Sequence, residues 1–160
     1  MTLYFLRHGD AVQDTRLHDS DRPLTESGRE QAAAAGKFLR AGKAGIERVL
    51  CSPLLRAQQT ASAVLREIGP VPLSTTEHLV SSSDPRHILR ELSDLDKETV
   101  LLVGHEPHLS STISVLLAGD ERSRVMMRPC SLACLSAVAS PESGKSLLQW
   151  LIHPEQMLIP

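Results

Sequence analysis

Two arginines and two histidines stand just beyond predicted strands, where side chains from distant parts of a chain can meet. Arg7 and His8 directly follow the apolar segment that begins the chain. Arg56 comes soon after a second apolar segment, and His105 directly follows a third. In open α/β sheets, ligands bind in the crevice outside the carboxyl ends of the strands. We therefore expect these four side chains to surround one anion site.

The chemistry that such a group of side chains supports is phosphoryl transfer. Arginine offers a planar, permanently charged fork that matches the oxygens of a phosphate. Neutral imidazole is a nucleophile towards phosphorus, and nearby guanidinium charges disfavour imidazolium, so we expect His8 to remain neutral near neutral pH. His105 can donate to a phosphoryl oxygen and stabilise the charge of the transition state. Gly9 would let the backbone approach the substrate closely.

The elements that must position these residues alternate between strand and helix. Apolar runs predict six strands: Thr2–Leu6, Val49–Cys51, Leu73–Thr76, Thr99–Val103, Ser131–Val138 and Ser146–Ile152. Capping signals predict four helices: Thr25 to Ala41, Ser52 to Ile68, Asp84 to Leu95 and Leu109 to Leu117. This alternation predicts a three-layer α/β/α sandwich around a mostly parallel sheet. The last two strands should form an antiparallel hairpin at one edge, and the tail after His153 should be irregular.

Length and composition predict a single domain and argue against nucleic acid and membranes as partners. The 160 residues are the size of one domain, which we predict to span residues 1–160. Aromatic residues make up only 2% of the chain, so stacking surfaces for single-stranded nucleic acid are not expected. A net charge of −2 provides no general attraction to nucleic acid or to a membrane. We expect neither of these partners.

The cysteines and the first residues indicate the compartment. The chain has three cysteines, an odd number, and they lack the paired spacing of a metal site. We therefore expect Cys51, Cys130 and Cys134 to be buried free thiols. The chain starts without the basic and long apolar segments of a secretory signal. Both features predict a cytoplasmic protein.

Four sequence blocks resemble the motifs of the histidine phosphatase (phosphoglycerate-mutase-like) superfamily. In the order of that family they are Leu6–Ala11, Arg22–Gly28, Ser52–Thr60 and Val103–Pro107. The Arg-His-Gly-Asp-Ala opening, the Arg-Pro-Leu-Thr segment and the Gly-His-Glu-Pro segment are most similar to the short phosphohistidine phosphatases of the SixA type. The resemblance implies a phosphoglycerate-mutase-like fold. At 160 residues the chain has little room for the long insertions that build a lid in phosphoglycerate mutases.

The same resemblance implies roles for individual residues. His8 would be the nucleophile that becomes phosphorylated, while Arg7, Arg56 and His105 would bind the transferred phosphoryl group. No cofactor is implied, because the arginines and histidines supply the positive charge. A metal site on His105 and His108 is disfavoured, since the intervening proline prevents the regular helix that would place both imidazoles on one face.

The general acid is a separate question. Cleavage of an alkyl phosphoester benefits from a proton donor to the leaving oxygen. Glu77, just after the predicted third strand, is near the place where related enzymes carry that acid. Asp10 and Asp14, in the loop after His8, are alternatives.

Three functions are consistent with these residues. The leading hypothesis is a phosphatase that hydrolyses phosphohistidine on a phosphotransfer domain through a covalent phospho-His8 intermediate and releases inorganic phosphate, which would tune a phosphorelay. The second is a broad phosphomonoesterase that acts on small metabolites, and it differs in the size of its site and its need for an acid. The third is a phospho-ligand binding module without catalysis, against which the presence of all four key residues argues.

Overall fold

The described part of the chain folds around one mixed sheet of six strands. The structure, a computed structural model, describes residues 1–137 and 140–157. The strands are β1 (Thr2–Arg7), β2 (Arg48–Cys51), β3 (Leu73–Thr75), β4 (Thr99–Gly104), β5 (Leu132–Ala137) and β6 (Ser146–Ile152). Their order across the sheet is β3-β2-β4-β1-β5-β6. The first four are parallel, and β5 and β6 form an antiparallel hairpin at one edge, which confirms the predicted sheet.

Helices cover both faces of this sheet. Those in the described residues are α1 (Glu26–Ala41), α2 (Leu55–Ile68), α3 (Pro85–Ser93), α4 (His108–Ala118) and the short α5 (Pro154–Met157). One apolar cluster joins α1 and α2 to one face of the sheet, and a second joins α3 and α4 to the opposite face. The predicted α/β/α sandwich is therefore confirmed.

Continuous apolar runs form the central strands because both faces of the sheet are covered. Side chains alternate between the two faces of a strand. In β1, Leu3 and Phe5 pack beneath α3 and α4, while Tyr4 and Leu6 pack beneath α1 and α2. A strand that is buried on both faces has no position for a polar side chain until it ends. The first charged side chain of β1 is accordingly its last residue, Arg7.

The predicted cap of α1 agrees with the structure, whereas the predicted cap of α2 does not. Thr25 caps α1 as predicted, since its Oγ1 accepts a hydrogen bond from the N–H of Gly28 at 3.0 Å. The prediction that Ser52 caps α2 was wrong, because that helix begins only at Leu55. The Ser52 hydroxyl instead contacts His105, and the helix starts once the chain has passed this contact.

The last part of the chain differs slightly from the prediction. Residues Pro154–Met157 form the one-turn helix α5, where an irregular tail was predicted. Its first residue, Pro154, is buried, and proline is well suited to the first turn of a helix because its missing N–H has no partner there. Val138, the predicted end of the fifth strand, and Pro160 lie outside the described residues.

The loop after β1 crosses the start of α1 at two glycines. A Cβ atom on Gly9 would lie 2.5 Å from the carbonyl oxygen of Gly28, and a Cβ atom on Gly28 would lie even closer to the carbonyl oxygen of Asp10. The backbone N–H of Thr25 donates to that same Asp10 oxygen at 3.0 Å. Both contacts involve backbone atoms, which cannot move aside as a side chain can. The loop therefore reaches α1 only because both residues lack a side chain.

We expect Gly28→Ala to lower the free energy of unfolding by about 1–3 kcal/mol or more, since the new methyl group forces backbone apart. Gly42→Ala is the matched control, because Gly42 has a φ of −75° and its added Cβ would meet its nearest neighbour only at 3.4 Å. Thermal denaturation of the two variants checks this. Equal melting temperatures would contradict the packing argument.

Candidate active site

Three neighbouring strands end at the same level and bring the candidate residues together. Beyond β1, the N–H of His8 donates to the carbonyl oxygen of Gly104 at 3.0 Å. Beyond β2, the N–H of Ser52 donates to the carbonyl oxygen of Val103 at 2.9 Å. Since Val103 and Gly104 are consecutive in β4, the first residues after β1, β2 and β4 are held side by side. These are His8, Ser52 and His105.

A cavity of about 280 Å³ opens at this edge of the sheet. It is lined by the four predicted residues, Arg7, His8, Arg56 and His105. The ring centres of the two histidines are 4.9 Å apart. The expectation that four distant side chains surround one site therefore agrees with the geometry.

His8 is held in one tautomer. Its Nδ1 lies 2.7 Å from the carbonyl oxygen of Gly9, which can only accept, so the ring proton is on Nδ1. Its Nε2 accepts a hydrogen bond from Nε of Arg56 at 3.3 Å. Burial lowers the pKa of His8 to about 4, and the nearby charges of Arg56 and Arg7 act in the same direction. The ring is thus neutral near neutral pH, with a lone pair on Nε2 at the cavity.

Arg56 lies in the first turn of α2 and is only 5% exposed. Besides His8, its guanidinium binds Asp19, with Nη1 donating to the backbone carbonyl at 2.6 Å and Nη2 donating to Oδ2 at 2.9 Å. Arg22 binds the other carboxylate oxygen of Asp19 at 2.6 Å. Hydrogen bonds from Arg22 and Arg56 lower the pKa of Asp19. This carboxylate therefore remains charged and fixes two guanidinium groups at the cavity.

Arg7 ends β1 and is held from the other side of the cavity. Its Nη1 donates to the carbonyl oxygen of Met127 at 2.8 Å. Its Nε is buried and has no hydrogen-bond partner within the described residues. Burial lowers the pKa of Arg7, whereas the charge of Glu106 raises it. Since a guanidinium remains protonated in proteins, Arg7 brings a positive charge that lacks part of its hydrogen bonding.

Ser52 positions His105. The Oγ atom of Ser52 lies 2.8 Å from Nε2 of His105 and already accepts from the N–H of Leu54 at 3.3 Å. In the tautomer in which the Ser52 hydroxyl donates to Nε2, the ring proton is on Nδ1. That atom is buried and unpartnered among the residues that the structure describes. Burial lowers the pKa of His105 to about 3, and the permanent charge of Arg56 acts in the same direction. A neutral donor of this kind suits a phosphoryl oxygen.

The three candidate acids are dispersed. Glu77 is exposed at the start of a 3₁₀ turn after β3 and is not among the residues that line the cavity. Asp14 is paired with Arg16, its Oδ2 lying 2.8 Å from Nη2, and it likewise does not line the cavity. Asp10 does line it, and its Oδ2 accepts from the hydroxyl of Thr25 at 2.8 Å. The structure thus brings only Asp10 of the three to the site.

Gly9 has a different role from the expected contact with substrate. Its N–H donates to Oγ1 of Thr60 at 3.1 Å, inside the protein, and its Cα packs against Gly28. With its N–H bound to α2 and its carbonyl bound to His8, the backbone of Gly9 serves the nucleophile rather than the ligand. Gly9 is not among the residues that line the cavity.

Sequence reasoning assigned no role to several residues that shape the site. Arg22 was quoted only as part of a motif, and Ser52 was interpreted only as a helix cap. Asp19 begins a one-turn 3₁₀ helix, Asp19–Asp21, in the loop between β1 and α1, which has no periodic sequence pattern. Glu106 lines the cavity with a carboxyl group whose pKa burial raises. Glu106 belongs to the Gly-His-Glu-Pro segment, but that segment alone assigns it no role. For Asp19 the sequence carries no signal, because a lone carboxylate in a loop is most often solvated.

Two thiols border the site without entering it. Cys51 is the last residue of β2, directly before Ser52, and the N–H of Cys130 donates to the carbonyl oxygen of His8 at 3.1 Å. Both are buried, and burial raises the pKa of each to about 12. The prediction of buried free thiols at Cys51, Cys130 and Cys134 is confirmed.

His108 is the first residue of α4 and does not line the cavity. Within residues 1–137 and 140–157, no three histidine, cysteine or acidic side chains are arranged to hold a metal ion. In the same residues, no helix is both long and apolar enough to cross a membrane.

The lowered pKa of His8 is open to direct measurement. Because the neutral ring persists down to about pH 4, the NMR signals of the His8 ring should not titrate between about pH 8 and pH 5 in the folded protein. In urea the same signals should titrate near the ordinary value of 6.5. The His8→Ala spectrum assigns the signals. A midpoint close to 6.5 in the folded protein would contradict the burial of this ring.

Known proteins share both this fold and this sequence pattern. The family model of the histidine phosphatase superfamily (branch 1) matches residues 3–81. Phosphohistidine phosphatase SixA of Escherichia coli (strain K12) is 30% identical over 96% of this chain and 94% of that protein. A solved structure of the protein histidine phosphatase SixA complexed with tungstate superposes with a TM-score of 0.87 at 28% identity, covering 98% of this chain and 99% of that one.

A more distant structure shares the fold alone. The alpha-ribazole phosphatase from Shigella flexneri superposes with a TM-score of 0.77 at 20% identity, covering 96% of this chain and 97% of that one. The near-complete coverage of the SixA relative is the stronger finding, because it extends from β1 to the hairpin of β5 and β6. The chain therefore belongs to the histidine phosphatase superfamily and is a phosphatase of the hydrolase class.

Proposed function

We propose that this protein hydrolyses phosphohistidine on another protein through a covalent phospho-His8 intermediate. The observation that carries the proposal is the tautomer of His8, whose Nδ1 proton is held by the carbonyl of Gly9 while Nε2 keeps its lone pair at the cavity. The phosphohistidine substrate is supported by the similarity to SixA along nearly the whole chain.

The proposed reaction has two displacements. Nε2 of His8 attacks the phosphorus atom in line, and the P–N bond to the substrate breaks as the bond to His8 forms. The electron pair of the broken bond stays on the substrate nitrogen, and the imidazole leaves neutral because its other ring nitrogen carries a proton. The guanidinium groups of Arg7 and Arg56 and the Nδ1–H of His105 bind the three outer oxygens, where charge develops. Water then attacks phospho-His8, the P–Nε2 bond breaks, and inorganic phosphate leaves. The water proton passes to phosphate or solvent, and the tautomer of His8 is restored.

The nature of the leaving group favours phosphohistidine over an alkyl ester. Imidazole leaves more readily than an alkoxide, so its departure depends less on a proton donor. Glu77 and Asp14 do not line the cavity, and the carboxylate of Asp10 is bonded to Thr25. A site equipped in this way suits the substrate with the better leaving group.

One observation favours the alternative, a phosphomonoesterase for small metabolites. Glu106 lines the cavity, and burial raises the pKa of its carboxyl group. A protonated Glu106 could deliver a proton to an alkoxide. An inactive binding module is less consistent with a neutral His8 ring at the cavity, because a site that only binds an anion would gain from a protonated imidazole.

The proposal extends to the setting of the protein. We propose that residues 1–160 act as one histidine phosphatase domain in the cytoplasm, on a phosphotransfer domain of a phosphorelay. Buried free thiols support a reducing compartment.

The nucleophile is tested by substitution and by labelling. His8→Ala should lower the turnover of a phosphohistidine protein by roughly three orders of magnitude or more, because no other group attacks phosphorus. Quenched reactions with a labelled phosphoryl group should leave label on the wild type and none on His8→Ala. His87→Ala, an exposed change on α3, is the control and should retain full activity. Turnover of His8→Ala at the wild-type rate would rule out this mechanism.

The general acid is tested by comparing two leaving groups. On glycerol 2-phosphate, Glu106→Gln should lower kcat by roughly 10²-fold, because the alkoxide then leaves without a proton. On the phosphohistidine protein the same variant should stay within about threefold of the wild type. Glu77→Gln, the exposed counterpart, should change neither rate. A wild type that turns over the alkyl ester far faster than phosphohistidine would favour the metabolite phosphatase.

A further inference from the structure

A second cavity adjoins the phosphate cavity and shares a wall with it. Its volume is about 450 Å³, and it lies against the segment between α4 and β5. Arg7 and Glu106 line both cavities. We term the second one the Met126 groove; its lining residues are Arg7, Glu106, Arg124, Val125, Met126 and Met127. A ligand in this groove would be separated from a group at His8 only by the side chains of Arg7 and Glu106.

The groove presents an exposed thioether. Met126 is 67% exposed, whereas its neighbour Met127 is 2% exposed and belongs to the core. Methionine is flexible and polarisable, so an exposed methionine adapts to apolar side chains of different shapes. Leu147 on the edge strand β6 is 66% exposed. Met126 is thus distinguished by its place beside the phosphate cavity and not by its exposure.

The groove also presents an unpaired guanidinium. Arg124 is exposed and has no ion pair within the described residues. The arginines on either side are paired, Arg122 with Asp120 and Arg128 with Glu155. Arg124 is therefore free to bind a carboxylate that comes from outside. Glu106, the acidic residue of the groove, does not pair with Arg124, and both of its carboxyl oxygens accept hydrogen bonds from Ser110.

The segment that forms the groove is fixed before anything binds. Nη1 of Arg7 donates to the carbonyl oxygen of Met127 at 2.8 Å. The N–H of Ser131 donates to the carbonyl oxygen of Arg128 at 2.8 Å. A surface that is already ordered loses little conformational freedom on binding, so its contacts contribute more fully to affinity.

We propose that the Met126 groove docks the polypeptide that carries the phosphohistidine. The partner is a folded protein that presents an apolar side chain and a carboxylate beside its phosphorylated histidine, for Met126 and Arg124 respectively. A small phosphate compound fills the phosphate cavity without reaching the groove. The enzyme then selects the protein around the phosphoryl group as well as the group itself. This inference rests on the proposed function, whose substrate it specifies.

The test compares hydrolysis of a P–N bond in a small molecule with hydrolysis of a P–N bond on a folded protein. The substrates are phosphoramidate and a set of histidine-containing phosphotransfer domains that have been phosphorylated on histidine. The variants are Met126→Ser and Arg124→Gln, and the control is Leu147→Ser. It removes an equally exposed apolar side chain at the opposite end of the strands, where Leu147 pairs with Ser136 and Ser136 with Thr2. For each variant, kcat and KM are measured on both kinds of substrate.

We expect Met126→Ser and Arg124→Gln each to lower kcat/KM for the phosphoprotein roughly tenfold, mainly through KM, and to leave phosphoramidate hydrolysis unchanged. Leu147→Ser should change neither. If both groove variants match the wild type on the phosphoprotein, the docking proposal is overturned and the proposed function stands. If the wild type hydrolyses phosphoramidate but none of the phosphoproteins, the proposed function fails and the docking proposal fails with it. Equal losses on both substrates would also overturn the docking role.

Discussion

The hydrogen bond from Nδ1 of His8 to the carbonyl oxygen of Gly9 is the contact on which the proposed chemistry depends. It is only 2.7 Å long and joins adjacent residues, so it places the ring proton without help from any distant group. The carbonyl is itself held in place, because the N–H of Gly9 is bound to Thr60 and its Cα is pressed against Gly28. A packing contact between two glycines thus determines which nitrogen of His8 keeps its lone pair. The backbone of Gly9 therefore links the packing of the loop to the protonation of the His8 ring.

The positive charge of the cavity is partly balanced by an exposed carboxylate rather than by a buried one. Three guanidinium groups approach two neutral imidazoles, and the single carboxylate of Asp19 is bound by two of them, those of Arg22 and Arg56. Its side chain is 64% exposed, while that of Arg56 is 6% exposed. An exposed carboxylate is readily hydrated, so an incoming phosphate can replace it on Arg56 at small cost. The buried arginine meanwhile always has an anionic partner, which a buried charge requires.

The sequence predicted the strand ends well and the loops poorly, for a physical reason. Arg56 and His105 could be placed because each follows an apolar run that is buried on both faces, and such runs end where the sheet ends. Ser52 was misassigned, since a hydroxyl before a helix can either cap it or bind a neighbouring ring, and only the fold brings that ring within reach. Asp19 reaches the site from a single 3₁₀ turn in the loop between β1 and α1, and no local pattern encodes the path of that loop. Glu77 was placed by its position after a strand, yet β3 is an edge strand and its end lies outside the cavity.

The buried thiols beside the site have a consequence for oxidative stress. Peroxide reacts with thiolates, and burial with a pKa near 12 leaves Cys51 and Cys130 almost entirely as unreactive thiols. The attacking atom in the proposed reaction is a ring nitrogen, which peroxide does not convert to a sulfenic acid. Phosphatases that rely on a cysteine nucleophile lose activity when that sulfur is oxidised. A phosphatase with a histidine nucleophile would therefore remain active in cells whose cysteine-dependent phosphatases have been oxidised.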